Sequence, residues 1–188
     1  MDESVRSRDA AGTRDSILKA AKQAFSDSGA DVGVREIAAR AGVNPSLINR
    51  YFGSKEQLLT DVMCSVPVNF AAVLGADRAR FGVNLARGLL AGCRNTGDFD
   101  PTLVMLRSLG NASATAALSA IVESWLDALA EALGGADSRL RAELILSVIA
   151  GFQIMGRVFA TPGIAGASEE QAIAMLGATI QQYVDPAG

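Results

Sequence analysis

Within four residues, Gly42-Val43-Asn44-Pro45, the chain stops one helix and starts another. Glycine tolerates the left-handed geometry that ends a helix. Asn is a strong N-cap, and Pro is preorganised for the first helical position. Two helices must therefore meet across a turn of about three residues. The first reads from about Val34 to Ala41, and Tyr51-Phe52-Gly53 closes the second. Upstream, Ile17, Leu18, Ala21, Ala24 and Phe25 recur at helical spacing after Thr13, a candidate N-cap, and Ser28-Gly29 ends that pattern. Downstream, Ser54-Lys55-Glu56-Gln57 has the Ser-x-x-Gln form of a capping box, and Leu58, Leu59, Val62 and Met63 supply the apolar face of a fourth helix.

The remainder is punctuated at Pro67, Asn95-Thr96-Gly97, Asp100-Pro101, Gly134-Gly135 and Thr161-Pro162-Gly163. These breaks predict helices near 68–75, 77–94, 101–110, 113–133, 137–160 and 168–184, and no strand-like alternation competes. Hydrophobic residues make up 49% of the chain and aromatics 5%, so the interior must be built from aliphatic side chains on closely packed helices. The expected fold is all-α. Residues 1–12 lack periodicity and read as a disordered arm, 13–60 as a first domain and 61–188 as a larger helical one. The longest uncharged stretches, Val62 to Ala76 and Ser108 to Val122, fall short of the roughly 18 to 20 residues that cross a bilayer as a helix. No membrane segment is expected. The polar N-terminus lacks the apolar core of a secretory signal, which predicts a cytoplasmic protein. Cys64 and Cys93 read as buried small hydrophobes rather than a disulfide.

Charge is distributed unevenly. From Arg6 to Lys55 there are nine Lys or Arg against five Asp or Glu, a net +4, whereas from Glu56 onward the balance is eight against thirteen, a net −5. A basic first domain suits a polyanionic partner, although so modest an excess also arises by chance. The chain has no His, no Gly-rich phosphate loop and no Glu-x-x-His pattern. The commonest general base and transition-metal ligand are thus missing, and no catalytic residue, metal or cofactor is expected.

Val34 to Phe52 has Ala38 where two helices approach closely, Gly42 at the turn, and Ile37, Val43 and Ile48 to fill a small core against the first helix. An ordinary helical hairpin shares that spacing. The longer run from Ile17 to Leu59, ILKAAKQAFSDSGADVGVREIAARAGVNPSLINRYFGSKEQLL, strongly resembles the helix-turn-helix DNA-binding domain of the tetracycline-repressor (TetR) family, over about a quarter of the chain. The resemblance implies a three-helix N-terminal DNA-binding domain and a C-terminal helical ligand-binding and dimerisation domain. It also implies a homodimer that binds a palindromic operator in duplex DNA and is released by a small molecule. Pro45 to Tyr51 then corresponds to the helix that enters the major groove. Lys55, Tyr51 and Arg35 match positions that meet phosphates, where cations and helix N-termini supply affinity. Asn44, Ser46 and Asn49 are the base-reading candidates, and Pro45 can touch a thymine methyl. The family often has Tyr where Asn49 stands, and Arg50 occupies a variable position.

The predicted helix 137–160 is apolar nearly all round, with Ile145, Val148, Ile149, Phe152 and Phe159 on one face and Leu144, Gly151, Ile154 and Val158 on another. Burial on both sides is expected. In the last helix Ile173, Leu176, Gly177, Ile180 and Val184 form a stripe. A monomeric core explains both patterns; the resemblance implies instead a four-helix dimer interface using Ile145, Gly151, Phe152, Ile154, Ile173, Leu176 and Ile180. Phe81, Met105, Arg107, Asn111, Trp125 and Gln153 mix bulky apolar surface with isolated polar groups, the composition of a cavity for a small, largely apolar effector. Two rivals stand beside this reading: a dimeric regulator without an effector, and a helical protein-interaction module.

Overall fold

A computed structural model describes residues 3–65, 77–95, 99 and 101–185. Among them are ten α-helices: α1 (Glu3–Ser28), α2 (Val34–Ala41), α3 (Ser46–Phe52), α4 (Lys55–Cys64), α5 (Phe81–Asn95), α6 (Pro101–Ser108), α7 (Ala112–Leu133), α8 (Ser138–Gln153), α9 (Pro162–Ala165) and α10 (Glu169–Val184). A 3-10 turn, Gly29–Asp31, follows α1, and a π-helical turn, Ile154–Val158, extends α8. The helix expected near 68–75 lies outside the described residues. The chain forms two compact units, one of residues 1–67 with 98–121, the other of 68–97 with 122–188. Residues 98–121 therefore group with the N-terminal helices, whereas the sequence places them in the larger domain.

The first unit is organised on α1, whose Ile17, Ala20, Ala21, Ala24 and Phe25 are buried against α2, α4 and α6. Burial of Ile17 and Phe25 contributes about 1.5–3 kcal/mol each. Opposite them lie Ile37 and Ala38 of α2, Ile48 and Phe52 of α3, and Leu58, Leu59, Val62 and Met63 of α4, all buried. α1 starts at Glu3 rather than at Thr13, so residues 3–12, expected as an arm, are helical. They contain no proline, and a helix already nucleated by its buried face extends through Glu3, Arg6, Arg8, Ala10 and Ala11 despite the poorer helix formers between them. Ser16 Oγ donates to Gly12 O at 2.9 Å, spanning the one glycine in that stretch. Cys64, expected inside, is an exposed free thiol at the end of α4.

In the second unit Phe81, Ala86, Leu126, Leu129, Leu133, Ala142, Ile145, Leu176, Ile180 and Val184 form the core. Its tightest crossing joins α5 to α10. A Cβ on Gly82 would lie 2.1 Å from Gly177 O, and one on Gly177 would lie 2.9 Å from Val83 Cα. Gly82 N–H donates to Gln181 Oε1 at 2.9 Å across the same contact. Two arginines cap helix C-termini, where carbonyls lack partners and the helix dipole favours cations. Arg78 donates to Leu133 O (3.2 Å) and Val184 O (2.9 Å), and the buried Arg141 donates to Tyr183 O, Val184 O and Gly134 O. Ser168 and Gln171 form a complete capping box at α10, which the sequence reading overlooked.

The expected single helix 137–160 is interrupted by its π turn. A π turn advances the chain by an extra residue and shifts the phase of the apolar stripe. Phe159, expected in line with Ile145 and Phe152, is consequently 66% exposed, and Val158 is exposed as well. Among the described residues no helix is long and apolar enough to cross a membrane.

Candidate nucleic-acid interface

The α2–α3 joint follows from its caps. Gly42 takes φ +67° and donates to Ala39 O at 3.2 Å, and Val43 N–H reaches back to Ala38 O at 3.0 Å, so the last carbonyls of α2 are satisfied from beyond the helix. Asn44 Oδ1 accepts from Ser46 N–H at 3.0 Å and from Ser46 Oγ at 2.8 Å, while Pro45 is already in helical geometry. The N-cap role expected of Asn44 is thereby filled. It also occupies the acceptor that a bidentate pair with adenine needs, and the Ser46 hydroxyl spends its proton on the same oxygen. Both residues are exposed, but their polar atoms already serve the turn.

Ile48 and Phe52, one turn apart, bury the inner face of α3, which turns Ser46, Asn49 and Arg50 outward. Tyr51 and Pro45 are half-buried at the edges of that face. Arg35, the second residue of α2, is exposed. Ser54 caps α4 by accepting from Gln57 N–H at 3.0 Å, but Gln57 Nε2 donates to Asp61 Oδ1 at 3.1 Å instead of closing the expected box.

Several nearby cations are already used. Arg14 pairs with Asp61 at 2.6 Å and lies 4.7 Å from the centre of the Phe52 ring, tying α1 to α4 and α3. Arg40 pairs with Asp27 at 2.6 Å and Glu36 at 2.7 Å, and hydrogen bonds to these two carboxylates raise its pKa further. Glu56 titrates below the usual carboxylate range, chiefly because a backbone N–H in the first turn of α4 bonds its ionised form, aided by Ser54 and Lys55. Lys55, matched by resemblance to a phosphate contact, has its ammonium turned to backbone: Nζ donates to Ala30 O at 2.7 Å and Val32 O at 3.4 Å. Among the described residues Arg35 and Arg50 enter no ion pair, so each retains its full donor set for an anion.

The other candidates are distributed differently from expectation. Met105, Arg107 and Asn111 belong to the first unit and Phe81, Trp125 and Gln153 to the second, so neither unit holds the six as one lining. Phe81 is a fully buried residue of the core cluster against which Trp125 packs, and Asn111 caps α7 by accepting from Ala114 N–H at 3.1 Å. Their bulk and polarity serve packing and capping, which sequence pattern does not separate from cavity lining. The second unit does contain an open, largely apolar cleft of about 700 Å³ between α8, α9 and α10, lined by Val148, Phe152, Pro162, Ile164, Leu176 and Thr179 among others. None of these was a ligand candidate from sequence: Phe152 and Leu176 were read as dimer residues, and Val148 as part of an apolar helix face.

Of the seven dimer candidates, Ile145, Leu176 and Ile180 are core residues of the protomer itself. Gly151 is exposed with open space around it, and Phe152, Ile154 and Ile173 are half-buried. Gly177, in the apolar stripe of the last helix, admits α5 of its own chain. Among the described residues of the second unit the exposed large apolar side chains are Leu140 and Leu144 on α8, Met155 and Val158 on its π turn, Phe159 just beyond, and Met175 on α10, which is 74% exposed. Helical spacing of Leu140 and Leu144 marks this second stripe in the sequence, but periodicity does not say which of two stripes faces inward.

Comparison with known proteins agrees with this architecture. A sequence model described as "Bacterial regulatory proteins, tetR family" matches residues 17–62, and one for the "Tetracyclin repressor-like, C-terminal domain" matches residues 79–184. The HTH-type transcriptional repressor NicS of Pseudomonas putida is 42% identical over 67 residues, 35% of this chain and 32% of the relative. The HTH-type transcriptional repressor Rv3405c of Mycobacterium tuberculosis is 38% identical over 86 residues, 40% of this chain and 46% of the relative. The match thus spans less than half the length of either curated relative. A TetR-family regulator from Streptomyces coelicolor superposes with a TM-score of 0.59 at 26% identity over 93% of this chain and 95% of its own. A Rhodococcus sp. structure assigned to the same regulators shares the fold, with a TM-score of 0.70 at 20% identity over 93% of this chain and all of its own. With a helix-turn-helix at one end and a C-terminal domain model matched over more than half its length, this chain belongs to the TetR family of bacterial regulators.

Proposed function

We propose that the chain is a sequence-specific DNA-binding transcriptional repressor that acts as a homodimer on a palindromic operator and is released by a small, largely apolar effector. The observation that carries the DNA-binding reading is the α3 surface: Asn49 and Arg50 exposed on the face opposite the buried Ile48 and Phe52, beside a capped turn that fixes their direction. Major-groove readout needs such a helix, with polar side chains aimed at base edges and cations beside them for phosphates. Arg35 and Arg50 are the phosphate or guanine contacts, Asn49 the base reader, and Asn44, Pro45 and Ser46 the elements that set the helix entry. Tyr51 and Lys55 border the same surface. The test is selection of bound sites from random duplex DNA, followed by an electrophoretic shift on the enriched sequence; a failure to enrich any sequence would overturn the reading.

If Asn49 reads a base, Asn49→Ala costs roughly 1 to 3 kcal/mol on the operator and relaxes preference at one position. Equal weakening on every duplex would assign Asn49 to the backbone. For the effector, support comes from the match of residues 79–184 to a tetracycline-repressor-like C-terminal domain and from the apolar cleft of about 700 Å³. A volume of this order accommodates a small, largely apolar molecule; of the polar side chains lining it, Gln171 Oε1 already accepts from Ser168 N–H and Thr179 Oγ1 already donates to Met175 O. Induction is a coupling free energy of about 1 to 3 kcal/mol, so operator and effector must weaken each other by the same factor, about 5- to 150-fold. Calorimetry of an effector with and without saturating operator measures this. Identical affinities in both arms would favour a regulator whose larger unit only dimerises.

A further inference from the structure

Within the first unit, three successive residues of the 3-10 turn after α1 are held from the end of α6 and the turn beyond it. Gly29, at φ +61°, lies so close to the Arg107 backbone that a Cβ would be 2.6 Å from its carbonyl oxygen. Ala30 N–H donates to Ser108 Oγ at 3.0 Å, and that hydroxyl, 1% exposed, donates in turn to Val104 O at 2.6 Å. Asn111 Nδ2 donates to Asp31 Oδ1 at 3.1 Å. The same turn offers carbonyls from its following peptide units: Ala30 O and Val32 O receive the Lys55 ammonium. Ala30 therefore binds Ser108 through its N–H and Lys55 through its C=O.

We infer that Ser108 is a positioning residue for Lys55, its buried hydroxyl setting the Ala30 carbonyl that seats the lysine ammonium at the start of α4. The inference rests on the DNA-binding reading above. Carbonyls are suited to such a seat because they orient a cation without cancelling its charge, as a carboxylate would. An ammonium has three donors, so two given to carbonyls leave one for an outside anion. Without the Ser108 hydroxyl a buried Ala30 N–H loses its acceptor, the turn must shift to find another, and the seat moves with it.

The test uses the full chain and a short duplex of random sequence, with affinity measured as a function of salt for wild type, Ser108→Thr, Ser108→Val, Lys55→Ala and the double variant Ser108→Val/Lys55→Ala. Thr and Val differ mainly in the hydroxyl. Loss of one phosphate contact lowers the salt slope by about one per protomer. The expected result is that loss in Ser108→Val and in Lys55→Ala, none in Ser108→Thr, and no further loss in the double variant. A wild-type slope in Ser108→Val, whatever its melting temperature, would overturn the inference, as would additive losses in the double variant. If wild type itself shows no salt-dependent binding, the DNA-binding reading fails and takes this inference with it, an outcome distinct from the previous two. Should Ser108→Val not fold, Ser108→Ala replaces it, since it removes the hydroxyl from Ala30 N–H without adding bulk, and an unchanged slope there would equally overturn the inference.

Discussion

Gly82→Ala is expected to destabilise the second unit by at least about 1 to 3 kcal/mol, the range for overpacking a filled core. The added Cβ would meet backbone at 2.1 Å, the Gly177 carbonyl oxygen, with Gln181 N at 2.9 Å. Neither atom belongs to a flexible side chain, so relief requires α5 and α10 to separate. Separation would also stretch the 2.9 Å bond from Gly82 N–H to Gln181 Oε1 and loosen Phe81 and Ile180 in the core on either side. Gly88 supplies the control. It lies on the same helix, is exposed, and a Cβ there meets nothing within 4 Å. Replacing glycine by alanine at a compatible helical site stabilises by about 0.4–1 kcal/mol, chiefly by restricting the unfolded chain. Thermal unfolding at one protein concentration should therefore move in opposite directions for the two variants, by about 2–4 °C per kcal/mol in a chain of this size. A Gly82→Ala variant as stable as wild type would mean that the helices do not cross at these glycines.

The N-terminal helices were legible in the sequence because their signals are local. Gly42, Asn44, Pro45 and Ser54 act on backbone groups within a few residues, and each is found at the cap or turn expected of it. The exposed face of α3, the candidate DNA-binding surface, was legible for the same reason: once Ile48 and Phe52 are inward, helical geometry sends Asn49 and Arg50 outward. What stayed hidden depends on partners distant in sequence. Lys55 is held by Ala30 and Val32, more than twenty residues away, and no pattern around Lys55 announces those carbonyls. Gly177 was legible as a member of the last helix's apolar stripe, but not that its close neighbour is Val83 of the same chain. The ligand and dimer candidates mixed core residues with surface ones because amphipathic periodicity gives the faces of a helix without saying what covers each. The π turn at Ile154–Val158 compounded this by moving Phe159 off the stripe it was assigned to.

Leu144→Arg is expected to convert the proposed dimer to monomers and to cost operator affinity roughly 10²- to 10⁴-fold, the advantage that linking two binding modules supplies. The argument begins with exposure: Leu140, Leu144, Met155 and Val158 leave apolar surface open along α8 and its π turn, with Gly151 between them unobstructed. Scattered apolar residues need no explanation, but a run of them along one helix marks an interaction face. An arginine placed there would be desolvated without a partner if a second copy covers it, and that cost disfavours association. In the free protomer the same side chain stays in water, so the melting of the monomer should change little. Ile145, the adjacent residue, points the other way and is fully buried in the protomer core. Ile145→Ala should therefore lower stability by about 2–5 kcal/mol through a core cavity rather than change the interface directly. On DNA, a palindromic site presents major grooves about 34–36 Å apart, which only a linked pair of recognition helices can occupy together. Leu144→Arg should thus lose the operator while binding an isolated half-site as wild-type protomers do. Light scattering at micromolar concentration reads the assembly and a shift assay on whole and half operators reads the consequence; an undiminished Leu144→Arg dimer would remove the α8 face from the interface.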